Sequence, residues 1–516
     1  LSETAGTDRF ADAFRRFELR IGEVLGRLSP TTLITVALLA HVFVWTIYPV
    51  LTQENLSTSG DMAENFAWGR EWQLGYFKHP PLFAWVTAAW FTILPRADWA
   101  YFLLSAVNTA IGLLGVYMLV GLYDRGARRI ASVLLLAITP LYGFMAIKFN
   151  ANSILLAIWP WFAFVFLKAI ERPTIVNGVL VGVLAGLAMM GKYFSGVLLI
   201  AAAVVVLMRP DRWRILLSPA AVAVVIAGLA VFGPHLWWLF HHDFGPFAYA
   251  GEHRAATTGR YLLYIVKFPL SQLAWQLPML LAILAILPRE KRAALKEVFS
   301  FADPSRRAML VLWIVPFLAA YGLGIVAKAE LSSVWGLPLW FLSVWAILSV
   351  PGIVDADVNL RRLVAIVLIY YVGLIASTPA IYGVQALTQG KILFKPEREL
   401  AEEVGRIWTE TTGTPLKLVG GLDSNAHPVV FYTKSPVSEM VELDYARSPW
   451  ITPGRVDREG LAIVCRASGD RCQTLARERF GPGLIERPIV LARRIWGVEG
   501  KPYRWLLMMR PPKSGN

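Results

Sequence analysis

The sequence predicts a polytopic α-helical membrane protein, with about eleven transmembrane helices plus juxtamembrane helices, followed by a small C-terminal α/β domain. Three observations predict it. Of the 516 residues, 56% are hydrophobic and only 17% charged, and the mean hydropathy is +0.52, a composition typical of membrane proteins. Apolar runs recur at residues 31–51, 82–94, 99–123, 129–147, 152–170, 175–191, 193–208, 215–239, 261–287, 308–328, 331–350 and 361–385. From Gly390 onward these runs stop and soluble-type segments replace them.

The first run lies behind a basic segment with Arg9, Arg15, Arg16, Arg20 and Arg27, and reads as an uncleaved anchor rather than a signal peptide. At ~1.5 Å per residue, about 20 residues cross the ~30 Å hydrocarbon layer. Residues 82–94 give only roughly 20 Å of helix. They start at Pro80-Pro81 and carry Trp85 and Trp90, which suits a helix lying at the interface. Leaving that run out of the count gives eleven spans. It also puts Arg125, Arg128 and Arg129, the Arg209 and Arg289 groups, and Arg361 with Arg362 on the cytoplasmic side with the N-terminus. The net charge of +14 is then accounted for without nucleic acid, since no soluble basic face with interleaved aromatics is present.

Residues 1–388 are therefore expected to form the membrane domain, with a first external loop at 52–98 that carries the juxtamembrane helices. Residues 389–516 form the external α/β domain. Within it we expect helices at 396–412 and 470–480 and strands at 417–419, 460–465, 488–493 and 504–509. It has neither a phosphate loop nor a nucleophile motif, and reads as a lid or docking domain. Its Cys465 and Cys472 do not have zinc-site spacing; a disulfide and two free thiols both remain open.

With this topology, polar residues gather on the external face, as an active site at a membrane surface requires. Residues 60–82, GDMAENFAWGREWQLGYFKHPPL, carry Asp61, Glu64, Trp68, Trp72, Tyr76, Lys78 and His79. The same face holds Lys148 and Asn152 in KFNAN, the Lys192-Tyr193 break, and the loop 241–260 with His242 and Asp243. A sugar on a polyprenyl phosphate already has a competent leaving group. Its transfer needs a carboxylate to take the acceptor hydroxyl's proton and cations to hold the departing phosphate. Asp61 is the candidate base, and Lys78 with His79 the candidate phosphate clamp. Lys148 and Lys192 share that role or bind an acidic sugar, with Asn152 and Tyr193 as further candidates for binding the donor; the bland alternative for the two lysines is that they snorkel at span ends. Glu64, His242 and Asp243 are secondary candidates. A divalent metal on Asp61 with Glu64 stays open, and no other cofactor is implied. Aromatics spaced like Trp68, Trp72 and Tyr76 more often anchor a helix at the interface than stack on a sugar.

These residues resemble a family. An Asp just past the first span, KHPPL opening a surface helix, and Lys192-Tyr193 after LAGLAMMG are similar to the polytopic glycosyltransferases of the GT-C class, in their protein-mannosyltransferase and aminoarabinose-transferase branch. GDMAENFAWG, KHPPL and NANSILLAIWPW look closer to bacterial transferases that decorate lipopolysaccharide, including the galacturonic acid transferases. The resemblance implies an inverting transfer from a polyprenyl-phosphate-linked donor to a glycolipid or polysaccharide acceptor. It implies a bacterial inner membrane setting, with the C-terminal domain periplasmic. It maps the base to Asp61, and the phosphate-binding lysine before the Pro pair to His79 or, one residue off, to Lys78. Two departures stand out: Met62 follows Asp61 where many members have Glu, and Asn152 stands where many have an Asp, which puts metal dependence in doubt. An apolar groove for the lipid tail is expected between spans, with its mouth near Lys78. The competing classes are a polyprenyl-lipid flippase or transporter, and a non-catalytic assembly subunit.

Overall fold

Helix starts along the chain are set by local capping. Ser29, Thr174, Ser218 and Thr257 each accept a hydrogen bond from a backbone N–H in the first turn, and Pro30 and Pro219 follow two of them at the first helical position. A computed structural model describes residues 2–53, 55–56, 60–252, 254–422, 425–468, 470–495 and 497–513.

The chain is a multi-pass membrane protein. Among the described residues, seven helices are long and apolar enough to cross a membrane: Pro30–Thr52, Asp98–Val120, Ile154–Glu171, Pro219–His241, Thr258–Ile286, Arg306–Val326 and Leu360–Thr388. The other four expected runs are built from shorter pieces. Residues 129–147 hold helix Ala127–Ala137 and then turns, because Pro140 and Gly143 interrupt the apolar sequence. Helices Ile175–Gly191 and Gly196–Leu207 flank the break at Lys192. Residues 331–350 form a 3-10 segment, Ser333–Trp340, around Pro338 and then the short helix Ser343–Leu348. The juxtamembrane run is the helix Leu82–Ile93, as short as expected.

The C-terminal region carries a five-stranded mixed sheet. Its spatial order is Ser438–Val441, Leu418–Gly421, Leu461–Arg466, Tyr503–Arg510, Ile485–Leu491. The first two pairings are parallel and the last two antiparallel. Helices Glu397–Thr412 and Asp470–Phe480 match the sequence reading, whereas strand Ser438–Val441 and helix His427–Tyr432 were not foreseen. Cys465 and Cys472 are disulfide-bonded, tying the third strand in that order to the helix that follows it.

This sheet region docks on the end of the bundle that carries Asp61. Phe431 is buried among Phe66, Phe91 and Tyr101, with ring centroids 5.1, 5.6 and 5.9 Å away. Tyr432 donates to Asp98 at 2.9 Å, and Arg96 donates to the Lys434 carbonyl at 2.6 Å. Asn55 donates to the carbonyls of Ile392 and Lys395 at 3.1 and 3.0 Å.

Candidate active site

The site is built on helix Asp61–Gly69, which follows Gly60. Gly60 has φ 83°, a left-handed conformation that suits a residue without a Cβ, and it makes Asp61 the first helical residue. A carboxylate there faces the positive end of the helix dipole. The helix packs close against Leu82–Ile93: a Cβ on Gly69 would collide with the Ala84 carbonyl. Tyr101 donates to the Met62 carbonyl at 2.6 Å, and Asn65 to the Phe149 carbonyl at 2.6 Å, so the helix is held on two sides.

Two acids, one turn apart, carry different environments. Asp61 is the more open, with 37% of its side chain exposed. Its Oδ2 lies 2.9 Å from Lys148 Nζ and accepts from Asn150 Nδ2 at 3.2 Å. Asn150 also accepts from the backbone N–H groups of Asn152 and Ser153, which fixes the KFNAN turn. Lys192 donates to Asn152 Oδ1 at 2.5 Å, and its ammonium lies 5.2 Å from the Trp335 ring centroid. Burial lowers the Lys192 pKa to about 7, with Asp61 nearby working the other way.

Glu64 is 10% exposed and is met by Lys78 Nζ at 2.5 Å. Lys78 also lies 5.5, 5.2 and 5.8 Å from the rings of Trp68, Phe77 and Tyr249. On the other side of Glu64 stands a residue the sequence reading missed: His427, whose Nε2 is 3.6 Å from Glu64 and whose Nδ1 is 2.6 Å from Glu439. Burial opposes its charge, but Glu439 and then Glu64 outweigh that and raise its pKa. Nothing in the local sequence of His427 marks it; it reaches the site only because the sheet region docks there.

The remaining candidates fall into place around these pairs. His79 sits edge-on to Phe83 and Tyr249, at 5.9 and 6.2 Å between centroids. Tyr193 meets His235 Nε2 at 2.6 Å, and His235 Nδ1 meets the Leu74 carbonyl at 2.7 Å, tying the Lys192 break to the first loop. Trp68 and Tyr76 are buried and stacked on each other at 4.9 Å, so they serve as core; Trp72 is exposed. His242 turns back onto its own helix, stacked on Trp238 at 4.2 Å and bonded to the Trp238 carbonyl at 2.9 Å. Asp243 lies in the left-handed turn after it, φ 49°. The hydrogen bonds and ion pairs of the described residues join neither to Asp61. The donor set does not suit a divalent metal: Asp61 and Glu64 are already divided between Lys148 and Lys78, and among the described residues no three His, Cys, Asp or Glu cluster in ligating geometry.

An apolar cavity of about 670 Å³ opens between helices Thr258–Ile286 and Pro304–Val326, lined by Gln276, Ile283, Phe299, Trp313, Phe317 and Trp340 among others. Its lining residue Trp340 ends the segment Ser333–Trp340, whose Trp335 faces Lys192. Neither Lys78 nor Lys192 is among the cavity's lining residues.

The architecture matches that of solved structures. ArnT from Cupriavidus metallidurans bound to undecaprenyl phosphate superposes with a TM-score of 0.61 at 13% identity, covering 93% of this chain and 98% of that one. Its apo state gives 0.61 at 15% identity with the same coverage. The chain has the GT-C fold. A family model described as dolichyl-phosphate-mannose-protein mannosyltransferase matches residues 78–238, from Lys78 into the span carrying His235. A comparison with curated protein sequences gave no match. The expected resemblance to the mannosyltransferase and aminoarabinose-transferase branch of the GT-C class is thus borne out.

Proposed function

We propose that this GT-C chain is an inverting glycosyltransferase. It moves a sugar from a polyprenyl-phosphate donor to lipid A, lipopolysaccharide or another envelope acceptor at the periplasmic face of a bacterial inner membrane. The observation that carries the reading is the open Asp61 carboxylate at a helix N-terminus, one turn from the Lys78–Glu64 pair and flanked by Lys148 and Lys192. The undecaprenyl phosphate bound to the ArnT relative supports a donor of this class.

Asp61 accepts the proton of the acceptor hydroxyl as the oxygen attacks the anomeric carbon. The carbon–oxygen bond to the phosphate breaks on the opposite face, which inverts the configuration. The leaving polyprenyl phosphate gains negative charge, and Lys78, with Lys192 on the other side, stabilises it. The apolar cavity beside Trp340 suits the isoprenoid tail or the acyl chains of membrane lipids. Glu64 is too enclosed by Lys78 and His427 to serve as the base, which favours Asp61. Lys148 and Lys192 together exceed the charge of Asp61. That surplus suits a donor sugar with its own carboxylate, a uronic acid; equal turnover of a neutral-sugar donor would remove this refinement.

The test is mass spectrometry of envelope glycolipids from cells lacking the gene, complemented with wild type or Asp61→Asn. A sugar-sized mass that returns only with wild type supports the transferase and gives the sugar class. Full restoration by Asp61→Asn removes the base and moves the flippase, transporter or assembly-subunit reading forward.

A further inference from the structure

Both ring nitrogens of His427 face carboxylates: Nδ1 lies 2.6 Å from Glu439 and Nε2 3.6 Å from Glu64. The Nδ1 contact is a hydrogen bond to Glu439, and the imidazolium adds a positive charge within ion-pair distance of Glu64, which a neutral imidazole lacks. The side chains of His427 and Glu439 are 8% and 2% exposed, so water contributes little to holding these charges. With Lys78 on the far side of Glu64 at 2.5 Å, the row Lys78–Glu64–His427–Glu439 alternates in sign and sums to zero. Beyond Glu439, Glu71 feels Arg455 and Arg70, and Arg455 is itself paired with Glu459 at 2.9 Å; beside Lys78, Glu442 is paired with Arg447. Helix His427–Tyr432 is pinned in place by buried Phe431, so the imidazole is delivered by the docked sheet region rather than by the membrane bundle.

We infer that His427 is a positioning residue for the phosphate clamp: it shares Glu64 with Lys78, keeping the Lys78 ammonium available to an incoming lipid phosphate and the pocket neutral. The inference rests on the reading of Lys78 as a phosphate contact. Without the imidazolium, Lys78 faces two buried carboxylates. The pocket turns net negative, Glu64 claims Lys78 for itself, and a phosphate is repelled. A residue that served only to fill space would have no such effect on charge.

The experiment measures binding of radiolabelled undecaprenyl phosphate to the purified full-length chain at pH 7, in wild type, Lys78→Gln, His427→Gln and the double variant His427→Gln/Glu439→Gln. His427→Gln is expected to weaken binding about tenfold, the order set by one unbalanced partly buried charge at this range. The double variant restores neutrality and is expected to recover to within about threefold of wild type. Lys78→Gln tests the underlying reading: unchanged binding there removes Lys78 from the phosphate, whatever His427 does. If Lys78→Gln weakens binding but His427→Gln does not, the inference alone falls. It falls too if the double variant stays as weak as the single one, since His427 then acts through packing.

Discussion

Asp61→Asn separates the chemistry of the site from its stability. The amide is nearly the same shape as the carboxylate and its oxygen can still accept from Asn150, now at 3.2 Å. What is lost is the charge facing Lys148 at 2.9 Å. Those side chains are 37% and 33% exposed, and ion pairs so open to water are worth about 0–1 kcal/mol. Thermal unfolding of the purified variant should therefore move by only a few degrees, if at all. Activity is another matter. Removing a general base typically costs about 10²–10⁴ in rate, or roughly 3–5 kcal/mol of transition-state stabilisation. The assay is single-turnover transfer from a synthetic polyprenyl-phosphate sugar to extracted glycolipid, run beside differential scanning fluorimetry. A rate loss below about tenfold with an intact fold would refute the assignment of Asp61 as base. A large drop in melting temperature would refute the claim that its ion pair is structurally dispensable.

Two further outcomes follow from other parts of the site. Phe431→Ala removes the ring packed against Phe66, Phe91 and Tyr101; at about 3–5 kcal/mol for such a core truncation, limited proteolysis should cleave the C-terminal region from the bundle far faster than in wild type. Lys192 titrates near 7 because burial disfavours its charge. The proton-bound form attracts the phosphate, so donor KM should rise as pH rises through about 7, and Lys192→Gln should flatten that rise; a pH–KM profile unchanged by the substitution would contradict it.

Much of the site was legible because its first half is contiguous. Asp61, Glu64 and Lys78 lie in one polar stretch between two apolar runs, and hydropathy with charge placement isolates that stretch. Lys148, Asn152 and Lys192 were visible as polar breaks at span ends. Their mutual arrangement, with Asn150 fixing the turn and Lys192 on Asn152, is a matter of tertiary packing. The pairing of Lys78 with Glu64, rather than with a free phosphate site, could not be read either: i and i+3 spacing relates Asp61 to Glu64, but Lys78 comes back across a loop. Hydropathy also overstated continuity. It counts Pro140 and Pro338 as tolerable within apolar runs, yet at both the missing N–H breaks the helix into turns or 3-10 segments. His427 and Glu439 were invisible, being ordinary residues of a docking helix and an edge strand whose importance arises only on contact.

The docking helix has a consequence for how such chains can be recombined. Because one short helix supplies both the hydrophobic wedge and the imidazole beside Glu64, the bundle and the sheet region do not behave as interchangeable modules. A chimera that grafts another protein's C-terminal region onto this bundle would inherit a seam with one charge too few. Under the clamp role proposed for His427, it should fold and reach the membrane yet bind a lipid phosphate weakly until a histidine is put back opposite Glu64.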